Sequence, residues 1–300
     1  MRLPARTAAW LALGLLASAC SGGEAATTTV PSIPATTGAP TTSSTTSTAP
    51  ATTTAPTTTS IAPTTTTTSA PPTTTTTTLP DWWREITPDA PLRVWVIGDS
   101  LTPHVGTALR ALGAANGLMR VSVEAWGGTG LARPDVFDWP AFVADNPPAP
   151  APDAIVVLLG ANDGQGMASP EGWLAFGAPE WDAYYAALVG GFMDQLLALS
   201  RRVYWVGQPI MGGPNLDSRT RHISRIVREQ AALRLEARFV EAYSVFQGED
   251  GGFAVVLPDA QGNLVTVRST DGIHYTTAGG QRLAQAIWEV LAADWRLPDE

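Results

Sequence analysis

The sequence predicts an α/β domain, an α/β/α sandwich in which a parallel β-sheet is covered by helices on both faces. Two observations predict it. From residue 91 onward, short β-rich apolar runs alternate with helical stretches, the order that builds βαβ crossovers and a parallel sheet. One of those runs, Ile155-Val156-Val157-Leu158-Leu159, is apolar at every position, as a strand buried on both faces must be.

The elements follow in order. Residues 92–97, Leu92-Arg93-Val94-Trp95-Val96-Ile97, form the first strand, and a helix spans 102–117. The second strand covers 121–125 and the third 155–159. Tyr184, Leu188, Phe192 and Leu196 recur at helical spacing and place a helix over 181–199. A fourth strand over 202–206, a helix over 218–237 and a fifth strand over 238–242 follow. The last helix, 277–293, carries Leu283, Ile287, Val290 and Leu291 on one face. Right-handed crossovers then divide the helices between the two faces, and ligands in such sheets bind at the carboxyl ends of the strands.

Composition limits this to one domain. The chain has 300 residues, but residues 27–80 hold 27 Thr and 9 Pro with no charged side chain. Such a stretch cannot bury enough apolar surface to offset its ordering entropy. Residues 81–300 remain as the folded part, large enough for a single core. All 18 basic residues are Arg, against 27 Asp and Glu. An acidic domain without basic runs is a poor partner for a phosphate backbone, which excludes nucleic-acid binding as a main function.

The N-terminus reads as an export signal over residues 1–20. Arg2 and Arg6 precede an apolar run at 8–19, too short to span a bilayer, that ends in Ala17-Ser18-Ala19-Cys20. It resembles a bacterial lipoprotein signal, which implies acylation of Cys20, the chain's single cysteine. Ala17 stands where that signal usually has Leu, and Ala17-Ser18-Ala19 also fits an ordinary cleavage site at the same bond. Membrane contact is expected only through that anchor. Residues 21–80 then read as a linker; its Thr/Pro-rich part, if extended, would reach on the order of 150 Å.

Four polar clusters fall at strand ends. Gly98-Asp99-Ser100-Leu101 follows the first strand, where a Ser on a tight turn presents its hydroxyl outward; the same residues also suit a helix N-cap. Gly127-Gly128-Thr129-Gly130 follows the second strand and permits close backbone approach, or is an ordinary turn. Gly160-Ala161-Asn162-Asp163 follows the third; the Asn162 amide is a donor for an oxyanion, or the side chain of an Asx-turn. Asp271-Gly272-Ile273-His274 precedes the last helix, and its spacing lets the carboxylate hold Nδ1–H and leave Nε2 free as a base. His104 reads as a supporting or surface residue, His222 as part of a solvated helix face, and Arg133 with Asp135 as a structural ion pair. Trp139, Phe142, Trp173 and Phe176 sit in loops beside these clusters, to stack on a sugar ring, line an acyl pocket or pack the loops down.

Together, Ser100, the glycine loop, Asn162 and His274 in that chain order resemble the SGNH hydrolase (GDSL esterase/lipase) superfamily over residues 91–293. Gly128-Thr129-Gly130-Leu131, Arg133-Pro134-Asp135, Phe137-Asp138-Trp139-Pro140 and Gly160-Ala161-Asn162-Asp163-Gly164-Gln165 resemble one branch of it, bacterial envelope-associated proteins long catalogued as a domain of unknown function. The resemblance implies a flavodoxin-like sandwich with a five-stranded parallel sheet, and acyl-ester chemistry with neither metal nor cofactor. It implies Ser100 as nucleophile, His274 as base and Asp271 as its orienting acid. The oxyanion donors would be the N–H of Ser100, the N–H of Gly128 and the side chain of Asn162, with Gly127 or Gly130 as alternatives to Gly128. The expected activity is hydrolysis of acyl, chiefly acetyl, esters on an ester-bearing small molecule or envelope glycan. The alternatives are O-acetyl transfer beside a membrane acyltransferase and non-catalytic wall binding.

Overall fold

The structure, a computed structural model, describes residues 79–297. The predicted signal segment, Cys20 and all but the last two residues of the predicted linker lie outside the described residues.

In chain order the elements are β1 (Leu92–Gly98), α1 (Thr102–Asn116), β2 (Met119–Ala125), α2 (Trp139–Asp145), β3 (Ala154–Leu158), β4 (Met167–Ser169), β5 (Gly172–Leu174), α3 (Pro179–Leu197), β6 (Arg202–Val206), α4 (Pro214–Ala232), β7 (Ala237–Val240), β8 (Val256–Pro258), β9 (Leu264–Thr266) and α5 (Thr277–Trp295). The main sheet has the order β2-β1-β3-β6-β7, with every neighbouring pair parallel. It is the five-stranded α/β architecture that the sequence predicts.

Strand alternation divides the core into two layers. Val94 and Val96 face a layer with Val105 and Leu109 of α1 and Leu283, Ile287 and Leu291 of α5. Trp95 and Ile97, one residue out of phase, face a layer with Trp181, Tyr185 and Val189 of α3 and Ile223 and Ile226 of α4. β3 is buried at every position, as its unbroken apolar run predicts. Its neighbours on both sides place its carboxyl end at the middle of the site edge.

Some boundaries move. α4 begins at Pro214 rather than Ser218, because proline suits the first turn, where its missing N–H has no partner to lose. β7 ends at Val240, after which the Glu241 carboxylate turns to accept the Tyr243 N–H. The helix α2 and the hairpins β4–β5 and β8–β9 were not predicted. A three-residue strand carries too little alternation to register, and α2 is only seven residues long. Its signal is local: the Asp138 carboxylate caps the Ala141 N–H at 3.0 Å, with Pro140 in the first turn.

Far from the strand-end loops, the Asp153 carboxylate is fully buried and accepts from Arg84 Nη2 at 2.7 Å, Arg93 Nε at 3.1 Å and the Arg93 N–H at 2.9 Å. Burial favours its neutral form, but the hydrogen bonds from Arg84 and Arg93 outweigh that and hold it well below the usual carboxylate range. Replacing Asp153 by Ala is expected to cost about 2 kcal/mol in urea unfolding, less than a fully enclosed pair because both guanidinium groups regain water. An unchanged midpoint would refute this anchoring.

Candidate active site

The first strand delivers Ser100 through a clamped turn. The Asp99 N–H donates to Leu158 O at 3.0 Å, and the Thr102 N–H donates to Asp99 O at 3.1 Å. The Asp99 side chain is itself buried, and its Oδ1 accepts the Leu101 N–H at 2.9 Å. The helix-cap reading of Ser100 does not hold: α1 is capped at Leu101 with no side-chain bond, and the Ser100 Oγ lies 2.9 Å from His274 Nε2.

The histidine arrives from 174 residues away on a short closed loop. Arg268 and Tyr275 bridge in antiparallel fashion, the Ser269 N–H donates to His274 O, and the Gly272 N–H donates to Ser269 O. Gly272 has φ +70° and lies against Gly212, a left-handed position where a side chain would also crowd the Gly212 backbone. Within the turn, Asp271 Oδ2 lies 2.7 Å from His274 Nδ1, while Oδ1 accepts the N–H groups of Ile273 and His274. The hydrogen bond from the imidazole, then those from the backbone, hold the Asp271 carboxyl down at about 2. The Asp271 and His274 side chains remain over 40% exposed, so this pair opens to solvent.

Beneath this loop lies Arg268, fully buried, which sequence reasoning missed. Its guanidinium sits over the rings of Tyr275, Phe246 and Phe253 and donates from Nη2 to Gly272 O at 3.2 Å. Burial lowers its pKa. The available signal was a lone Arg directly after the β-rich Leu264-Val265-Thr266-Val267 and three residues before Asp271.

The glycine loop and Asn162 complete the cluster. Asn162 Nδ2 donates one hydrogen to Thr129 O at 2.9 Å and keeps a second. A methyl on Gly127 would stand 3.8 Å from the Ser100 Cβ, while Gly128, at φ +74°, faces open space. Gly130 is pressed against the Asp163 carboxylate. Among the described residues, the N–H groups of Ser100, Gly127 and Gly128 donate to no protein oxygen. Asp163, quoted in the motif but given no role by sequence reasoning, is buried and accepts from the Leu131 N–H, the Ala132 N–H and the Tyr185 hydroxyl. Burial raises its pKa despite those three donors.

The remaining candidates separate. Trp139 is fully buried and donates to Thr129 Oγ1 at 3.0 Å, Phe142 packs edge-on to it, and Phe176 packs against Trp181. These three hold the loops down; Trp173 is 73% exposed. Arg133 and Asp135 pair at 3.0 Å as expected. His104 is exposed, with its backbone against Gly280 of α5. His222 is not on a solvated face: it lies half-buried, with Nε2 2.7 Å from Asp182 Oδ1, because α4 packs that side against α3.

This five-stranded parallel sheet with helices on both faces is the fold of the SGNH hydrolases. It is shared by an acetyl-xylooligosaccharide esterase from Geobacillus stearothermophilus (16% identity over 70% of this chain and 97% of that one, TM-score 0.51). A Slackia heliotrinireducens protein assigned to the SGNH hydrolases aligns at 18% identity over 67% of this chain and 99% of its own (TM-score 0.47). A carbohydrate esterase family 2 enzyme from Corynascus thermopiles aligns at 17% over 73% and 68% (TM-score 0.47). No curated protein matches the sequence. Residues 93–290 match the family described as "Protein of unknown function (DUF459)", and the chain belongs to that family.

Burial first, and the nearby Asp163 charge, push Asp99 up from 3.8 to about 7, although the Leu101 N–H opposes this. The folded state therefore holds a proton that the unfolded chain releases, so stability is full below about pH 4 and falls as pH rises toward about 7. Asp99→Asn keeps the acceptor for Leu101 and removes the titration. Urea midpoints compared at pH 4.5 and 8 should fall in the wild type relative to Asp99→Asn; parallel curves would refute a protonated Asp99.

Proposed function

We propose that the protein is an exported serine esterase that removes acyl groups, acetyl foremost, from a carbohydrate of the cell envelope. The observation that carries this reading is the hydrogen-bonded series Ser100–His274–Asp271 at the carboxyl edge of the sheet. As Ser100 Oγ attacks the ester carbonyl carbon, His274 Nε2 takes its proton, and Asp271 stabilises the imidazolium at Nδ1. The developing oxyanion would be met by the N–H groups of Ser100 and Gly128 and the free amide hydrogen of Asn162, each such donor being worth ~3 kcal/mol. Collapse expels the sugar oxygen, which takes the proton back from His274 and leaves acyl-Ser100. Water then gives a proton to His274 as it attacks the acyl carbon, and the carboxylic acid departs with Ser100 restored.

A depressed Asp271 supports this chemistry, since its carboxylate stays charged at any pH where His274 acts as a base. The fold, shared with an acetyl-xylooligosaccharide esterase, supports a carbohydrate ester as substrate. The export signal and the Thr/Pro tract support work at the envelope, with Cys20 as the lipid anchor.

Purified protein should release acetate from p-nitrophenyl acetate, and Ser100→Ala should lower kcat by about 10⁴-fold or more. Equal slow rates for both would sink the reading. Acetate appearing on an added glycan rather than in solution would assign transfer in place of hydrolysis. Growth with a labelled lipid precursor should mark the wild type and not Cys20→Ala; an unlabelled, medium-soluble wild type would remove the anchor.

A further inference from the structure

We propose that the exposed face of Trp126 is the floor of a sugar-ring subsite beside Ser100, an inference that rests on the carbohydrate-esterase reading. Trp126 is the first residue after β2, the strand neighbouring β1. Its N–H donates to Gly98 O at 2.9 Å, which ties it to the turn that carries Ser100 two residues later. The next residue, Gly127, is the one that lies against Ser100.

The ring is presented firmly. One face stacks on Phe137, with centroids 5.1 Å apart and planes 18° apart, and Phe137 is wedged in turn against Trp139 and Phe142. The indole nevertheless stays 47% exposed. A single exposed apolar side chain needs no explanation, but this one is braced from behind at the strand ends where substrates bind. A flat, electron-rich face suits the C–H face of a pyranose, which is apolar while its hydroxyls point outward to water. The subsite would hold the ring that bears the ester and so set a preference for sugar esters over simple ones.

The test compares wild type, Trp126→Ala and Trp126→Phe on an acetylated xylooligosaccharide and on p-nitrophenyl acetate. Trp126→Ala should lower kcat/KM on the oligosaccharide about tenfold, mainly through KM, and leave p-nitrophenyl acetate within about twofold; Trp126→Phe should recover most of the loss. An equal fall on both substrates, or none on the oligosaccharide, overturns the subsite. Calorimetric titration of the oligosaccharide into Ser100→Ala and Ser100→Ala/Trp126→Ala reads the subsite without turnover. Weaker binding by the double variant supports it; equal affinity, or no binding to either, overturns it. Failure of the esterase reading shows separately, as wild type inactive on p-nitrophenyl acetate.

Discussion

A carboxylate taken out of water must be given hydrogen bonds, and Asp163 receives them from two different parts of the chain. The Leu131 and Ala132 N–H groups come from the glycine loop after β2, and the Tyr185 hydroxyl comes from α3. Asp163 itself follows Asn162 at the end of β3. One buried group therefore fixes the distance between the glycine loop and the Asn162 loop, the two walls on either side of Ser100. Gly130 is small because the carboxylate needs that space. The Asn162 bond to Thr129 O, 2.9 Å long, depends on the same registration. Without this tie, the walls would be joined mainly through the sheet edge.

The fold was legible because β3 and its neighbours obey simple patterning. An all-apolar run admits few readings, and the out-of-phase pairs Val94/Val96 and Trp95/Ile97 match helices on both faces. Helix ends were less legible, since α4 starts at Pro214, four residues ahead of the start expected at Ser218. The short hairpins were not legible at all, because three residues carry almost no period.

In the site, residues joined by local geometry were readable, and residues joined by packing were not. Asp271 and His274 share one turn, so their spacing alone predicts contact. Arg268 and Tyr185 act through the fold; Tyr185 carries no short-range signature, and Arg268 carries only its place just ahead of Asp271. The loop aromatics show the same division. Sequence placed Trp139 and Phe142 beside the site, but only the folded chain shows that they brace Phe137 and thereby Trp126.

Asp271 and His274 are carried together on the 268–275 loop, and Ser100 stands on a separate, deeply anchored turn. The two parts meet where the Ser100 Oγ approaches His274 Nε2. Tyr275 and Arg268 root that loop in the core layer shared with α1 and α5, against Phe246. Displacing the loop would therefore part Ser100 from His274 and expose that core layer in the same movement.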